Sequence, residues 1–193
     1  MARENGLLEM WNRRHAEAET LGRVATVLEQ NIHLAAPECR ALDLACGRGA
    51  NALYMAAAGL AVTAWDLSPV AISRLDRAAV EEGLVVQAAV RDVIASPPEP
   101  RTFDLILVSF FLERGLAPAI AAALKPGGLL YYQTYSRAAV TDEGPSSEQF
   151  RLDDNELLEL FPTLKIRVYR EERLLGDTHR GWRDMAMLVA EKA

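Results

Sequence analysis

From residue 40 onward the chain alternates two apolar patterns. Short, nearly continuous apolar runs occupy 40–45, 60–66, 84–90, 103–111 and 128–135, and segments with apolar residues at helical spacing lie between them at 51–58, 69–82 and 117–124. Strands covered on both faces read as continuous rather than alternating apolar runs, so this pattern predicts a doubly wound α/β architecture around a mostly parallel sheet. Ser68 is placed to cap the 69–82 helix, Pro69 suits its first turn and Gly83 ends it. Ahead of the alternation, 7–18 and 21–32 predict two helices closed off by Pro37. After Tyr135 the periodicity lapses into a polar, turn-rich stretch that is long for a connector and is expected to form a lid or substrate wall. Asp153, with Glu156 at capping-box spacing, predicts a short helix that Pro162 ends. Two last strands, within 163–175 and 182–193, flank the turn sequence GDTHRG and are expected to pair antiparallel.

Composition narrows the class. With 193 residues, 50% hydrophobic and 25% charged, the chain has room for one well-buried domain. A formal net charge of -6 gives no general attraction to a phosphate backbone, so no nucleic-acid partner is expected. The polar N-terminus lacks a signal-peptide core, and no apolar run approaches the roughly 18 residues of a membrane span. A cytoplasmic protein with no membrane association is therefore the expectation, as monomer or homodimer. Cys39 and Cys46 suggest reduced thiols rather than a disulfide framework, and the dispersed His15, His33 and His179 suggest no metal site.

The candidate chemistry sits in LDLACGRGANALYMAAAGLAVTAWD, residues 42–66. Gly47, Gly49 and Ala52 have the G-x-G-x-x-G/A spacing of a nucleotide loop between a strand and a helix. Asp66, at the end of the second strand, suits a pair of ribose hydroxyls, a role common to NAD and S-adenosylmethionine sites. Asp43 separates the two cofactors. A carboxylate beside a helix N-terminus opposes a pyrophosphate but favours the cationic sulfonium and ammonium of S-adenosylmethionine. Asp92, after the third strand, is positioned to meet the adenine amine. A dehydrogenase would also need a substrate domain for which this chain has no space.

The series LDLACGRG, AWDLSP, RDV, FDLILVSFFL and LKPGGLL resembles the motif ladder of class I S-adenosylmethionine-dependent methyltransferases over residues 38–135. That resemblance implies a Rossmann-like seven-stranded sheet whose last strand is antiparallel. It divides the chain into an N-terminal helical cap (1–36), a cofactor-binding core (38–135) and a C-terminal part (136–193) with the lid loop, short helix and strand pair. It also implies a cofactor-binding set of Asp43, Ala45, Cys46, Gly47, Gly49, Asn51, Asp66, Leu67, Asp92, Val93 and Ser109, with Ala45 standing where many members have Gly. Trp11, Arg14 and His15 lie on the first helix and are placed either to cover the cofactor's methionine end or to pack.

Within the class, NALYMAAAGLAVTAWD and THRGWRDMAMLVAEK are similar to the tellurite-resistance methyltransferases. By that resemblance His179, Arg180 and Arg183 would be the catalytic group holding an anionic acceptor, with Arg114 a further cation. Arg supplies a planar fork for oxyanions and His a donor tunable near neutral pH. The implied acceptor is a small-molecule soft nucleophile such as a tellurium or selenium oxyanion. A thiol, a carboxylic acid, a non-catalytic S-adenosylmethionine-binding role and a small NAD-dependent oxidoreductase remain as alternatives. The N-terminus and the lid look more like the wider group of small bacterial methyltransferases.

Overall fold

The structure, a computed structural model, describes residues 2–193, with side chains from residue 6 onward. Its elements are α1 (Ala2–Glu17), α2 (Thr26–Asn31), β1 (Arg40–Leu44), α3 (Ala50–Ala57), β2 (Ala61–Asp66), α4 (Pro69–Glu82), β3 (Val86–Val90), β4 (Phe103–Ser109), α5 (Ala117–Ala123), β5 (Leu124–Tyr135), α6 (Glu156–Leu160), β6 (Leu164–Arg170) and β7 (Met185–Lys192). The seven strands form one sheet in the order β3-β2-β1-β4-β5-β7-β6. The first five are parallel, and β7 runs antiparallel to both β5 and β6. Order reverses beside β1, so the carboxyl ends of β1 and β4 flank the crevice where such sheets bind ligands.

The apolar runs become strands because both sides of the sheet are covered. Leu42, Leu44, Ile106, Val108, Leu130 and Tyr132 pack one core with α5 and α6 residues; Ala41, Leu105, Leu107 and Tyr131 pack the other against α2, α3 and α4. Tyr131 is fully buried and its hydroxyl donates to the Asn31 carbonyl at 2.7 Å, while the Val27 N–H donates to Gln133 Oε1 at 2.9 Å. These two bonds tie α2 to β5. Burial pushes the Tyr131 hydroxyl upward in pKa, consistent with a neutral donor. The Ser68 cap forms as expected, accepting from the Ala71 N–H, and Gly83 ends α4 at φ 66°.

Among the boundaries that differ from the sequence expectation, four do so for a clear local reason. The second helix starts at Thr26 rather than Leu21, because Gly22 takes φ 103° and Ala25 is extended. Strand β4 stops at Ser109, since Phe110 turns to φ 55°. The short helix begins at Glu156, after Asn155 at φ 58°. Half of the capping box still forms: Glu156 Oε2 accepts from the Asp153 N–H at 2.7 Å, but the Asp153 carboxylate pairs with Arg137 instead. The connection between β6 and β7 spans 171–184, well beyond the GDTHRG turn, because neither strand continues through its charged end.

The polar stretch after Tyr135 is held by two buried charges. Arg151 donates to the carbonyls of Ser136, Glu143 and Pro145 at 2.6 to 3.0 Å, and Asp184 accepts from the Val140 and Thr141 amides and the Thr141 hydroxyl. Carbonyl and amide groups that a loop leaves unpaired thus find partners. Among the described residues, no helix is long and apolar enough to cross a membrane.

Candidate cofactor site

The loop between β1 and α3 turns on three left-handed residues, Ala45 (φ 57°), Gly47 (φ 54°) and Gly49 (φ 88°). It is tied to the end of β2: Gly47 N–H donates to Asp66 Oδ2 at 2.8 Å, and Cys46 N–H donates to the Trp65 carbonyl at 2.9 Å. The other Asp66 oxygen accepts from the Ser68 N–H at 2.8 Å. Each carboxylate oxygen carries a further lone pair, so Asp66 can still accept from a hydroxyl. Asn51, in the first turn of α3, joins three elements: its Oδ1 accepts from the Ala25 N–H at 2.8 Å and its amide donates to Ser109 Oγ at 2.9 Å.

A cavity of about 420 Å³ lies over these strand ends, within the range of small-molecule sites. The sheet order arranges its chemistry. Asp66 ends β2, Asp92 comes just after β3, the glycine loop follows β1, and Ser109 ends β4 ahead of Phe110 and Phe111. Helix α1 covers the opening with Leu7, Trp11 and His15. Three contacts fasten this cap. Ser68 Oγ donates to Asn12 Oδ1 at 2.6 Å, Arg74 donates to the carbonyls of His15 and Ala18, and Arg48 donates to the Thr20 carbonyl at 2.6 Å. A guanidinium at the last carbonyls of a helix also suits its dipole.

His15 is buried above Gly47, with its ring stacked on Trp11 at 5.7 Å. Arg48 Nη1 lies 3.4 Å from His15 Nδ1. A guanidinium only donates, so Nδ1 is the acceptor and the ring proton sits on Nε2. Burial lowers the pKa of His15 most, Asp66 opposes that, and Arg48, Arg74 and Arg14 lower it further. The imidazole is thus a neutral donor facing the cavity.

The model of the family described as "Tellurite resistance protein TehB" matches residues 15–186. The chain belongs to the TehB family. A curated relative from Haemophilus influenzae, named "Probable S-adenosyl-L-methionine-dependent methyltransferase TehB", is 31% identical over 151 residues, which is 74% of this chain and 51% of the relative. The chain spans about half the length of the curated relatives it matches. The crystal structure of TehB from Haemophilus influenzae aligns with a TM-score of 0.70 at 24% identity, covering 86% of this chain and 61% of that one. A TehB-like S-adenosylmethionine-dependent methyltransferase from Corynebacterium glutamicum aligns with a TM-score of 0.66 at 19% identity, over 100% of this chain and 99% of that one. These structural likenesses carry the fold.

In this TehB-family chain, nine of the residues expected to bind cofactor line the cavity: Ala45, Cys46, Gly47, Asn51, Asp66, Leu67, Asp92, Val93 and Ser109. Asp43 and Gly49 do not. Asp43 is fully buried behind the loop, and neither carboxylate oxygen has a hydrogen-bond partner. Burial first and the Asp66 charge second push its pKa up to about 7. Gly49 faces α4, where an added Cβ would lie 2.3 Å from Leu75 Cδ1. Its role is close packing of loop on helix.

The group expected to be catalytic lies apart from these walls. His179, Arg180 and Arg183 lie in the 171–184 connection, at the same end of the sheet as the cavity but outside its walls. His179 and Arg180 are exposed. Arg183 is turned inward, donating to the carbonyls of Arg180, Arg173, Leu175 and Asp177 at 2.6 to 2.9 Å, which ties the connection together. Arg114 is bound to the Glu156 carboxylate and the carbonyls of Gln149 and Arg151. The walls also contain Arg48, Leu21, Phe110 and Phe111, which lie outside the expected cofactor-binding set. The FF pair directly after an apolar strand was the signal available for the two rings, and Trp11 and His15 line the wall as their place on the first helix allowed.

Proposed function

We propose that this chain is an S-adenosylmethionine-dependent methyltransferase acting on a small-molecule soft nucleophile. Family membership supports the reading, and the observation that carries it is the Asp66 carboxylate in the cavity floor, fastened to Gly47 with lone pairs left for ribose hydroxyls. Other features of the walls fit the same ligand. The Gly47 amide, which a pyrophosphate would seek, is already donated to Asp66. Val93 and Ile94 offer apolar cover for a base beside Asp92.

When bound, S-adenosylmethionine supplies a methyl group made electrophilic by its sulfonium. The chain's own task is to bind, orient and exclude water. Asp66 and Asp92 would hold the hydroxyl-bearing and amine-bearing parts, the glycine loop gives close backbone approach, and α1 with Trp11 and His15 shields the opening. The tellurite- or selenite-type acceptor rests on the family description and on His179 and Arg180.

Calorimetry with S-adenosylmethionine, S-adenosylhomocysteine and NAD tests the cofactor. Binding of the two adenosyl ligands alone is expected. Preferential binding of NAD would replace this reading with a dinucleotide-dependent oxidoreductase.

A further inference from the structure

We infer that two copies of this chain pair through the β3 edge of the sheet, antiparallel about a two-fold axis beside Gln87. The surface lies outside the walls of the cofactor cavity and is independent of the acceptor.

The two edges of the sheet differ in how they are protected. At one end of the order, β6 carries Lys165, Arg167 and Arg170 and is interrupted by a register shift between Ile166 and Val168. A bulge and a row of cations keep an edge from pairing with another chain. At the other end, β3 pairs with β2 alone and in unbroken register. From 83 to 90 the sequence GLVVQAAV has no charge and no proline. Alternate backbone N–H and C=O groups of β3 point away from β2, while Val85 is 82% exposed and Val90 54%. A regular, uncharged and apolar edge of this kind is a template for a further strand.

The charges around the edge select the strand. Exposed Glu81 and Glu82 stand before β3, and Arg91 follows it directly. An antiparallel copy sets the acidic end of each β3 against the basic end of the other, whereas a parallel copy would set like against like. The uncharged run 84–90 is centred on Gln87, so that residue meets its own counterpart across the axis.

Helix α4 extends the contact. It packs on both β2 and β3, so a partner strand at the usual spacing of about 4.8 Å brings the two α4 helices to about 10 Å, the ordinary distance between packed helices. Ser73, Asp76, Arg77 and Val80 lie exposed on α4 at i, i+3, i+4 and i+7, with Val80 81% exposed. A two-fold copy meets Asp76 and Arg77 with their signs exchanged. Strand pairing alone falls short of the roughly 1,000 Å² that a lasting interface buries, so the helix flank is needed to complete the surface. The pair is closed: both open edges are used, and the protected β6 edges become the outer ones.

Sedimentation equilibrium of the full chain over a range of concentrations tests the pairing, and amide hydrogen exchange locates it. A monomer–dimer equilibrium is expected, with the amides of 85–90 exchanging more slowly as the dimer fills. Gln87→Lys and Gln87→Glu each set like charges across the axis and should weaken the dimer by about tenfold or more. Mixed in equal amounts, the two variants should recover it, because a cation then faces a carboxylate. Gln87 is exposed, so both variants should keep the circular dichroism of the parent. A chain that stays monomeric at every concentration overturns the proposal. A dimer whose 85–90 amides exchange unchanged, or whose variants regain nothing on mixing, overturns it equally, since the contact would then lie on another surface.

Discussion

The Asp66 carboxylate and the Gly47 backbone N–H meet at 2.8 Å, so the end of β2 and the turn after β1 form one rigid edge of the cavity. The same carboxylate accepts from the Ser68 amide, which sets the start of α4. One side chain thus joins a strand end, a loop and a helix before any ligand arrives.

Asp66→Ala should therefore act on both loop order and ligand affinity. A hydrogen bond to a charged group contributes about 1 to 3 kcal/mol, so S-adenosylmethionine affinity should fall by that amount in calorimetry. Asp66→Asn keeps one acceptor oxygen and should fall less. Equal affinity in all three proteins would remove Asp66 from the ribose.

Gly49→Ala is expected to destabilise the protein by about 1 to 3 kcal/mol, since the backbone is left-handed there and the new methyl meets Leu75. Gly47→Ala has only His15 Cε1 within reach, at 3.6 Å, and should cost less. Urea midpoints of the two variants give the comparison. A larger loss at Gly47 would show that strain, not packing, dominates this loop.

Asp43 makes a pH prediction. Its pKa of about 7 in the fold lies above the ordinary 3.8, so the folded state holds a proton that the unfolded chain releases. Stability should then fall as pH rises from about 4 to 7, by an order of 2 to 4 kcal/mol, and level off above. Asp43→Asn should flatten this slope and be more stable than the parent at pH 8. Parallel stability curves for the two proteins would show that Asp43 is not the group responsible.

Much of this was legible in the sequence because it depended on local pattern. Continuous apolar runs gave the strands, and Ser68, Pro69 and Gly83 gave α4 its ends. The surroundings of other residues depended on three-dimensional partners instead. Asp43 carries the spacing of a ligand-facing acid, yet it lies between Leu42 and Leu44 in a strand buried on both faces, and that context makes it part of the core. Arg183 reads as a free cation because its acceptors are main-chain carbonyls, which no side-chain sequence displays. Phe110 reads as the next strand residue until its φ is known.

Acid should loosen the cap. His15 has a lowered pKa in the fold, so its neutral form is favoured and the unfolded chain binds more protons below 6.5. Its stabilising contribution is present above that value and is lost as pH falls through 6.5 toward the folded pKa. Cofactor affinity should weaken at the lower end of that window, as pH falls through the folded pKa, because only then does a protonated ring face Arg48, Arg74 and Arg14. Affinity measured from pH 8 to 5 should show the fall, and His15→Gln should abolish it. A persistent fall in that variant would assign the titration elsewhere.

Arg183→Ala distinguishes a strut from a catalytic cation. Removal of four carbonyl bonds from one largely buried guanidinium should cost about 1 to 3 kcal/mol locally and open the 171–184 connection. Hydrogen exchange should then quicken at the amides around Arg173 to Arg180, with the β1–β2 amides unaffected. Arg183→Lys, a single point donor, cannot span the same carbonyls and should behave nearly as the alanine variant. If exchange stayed slow while turnover of an anionic acceptor collapsed, Arg183 would be acting on the ligand directly, and the carbonyl bonds would have to yield to it during the reaction.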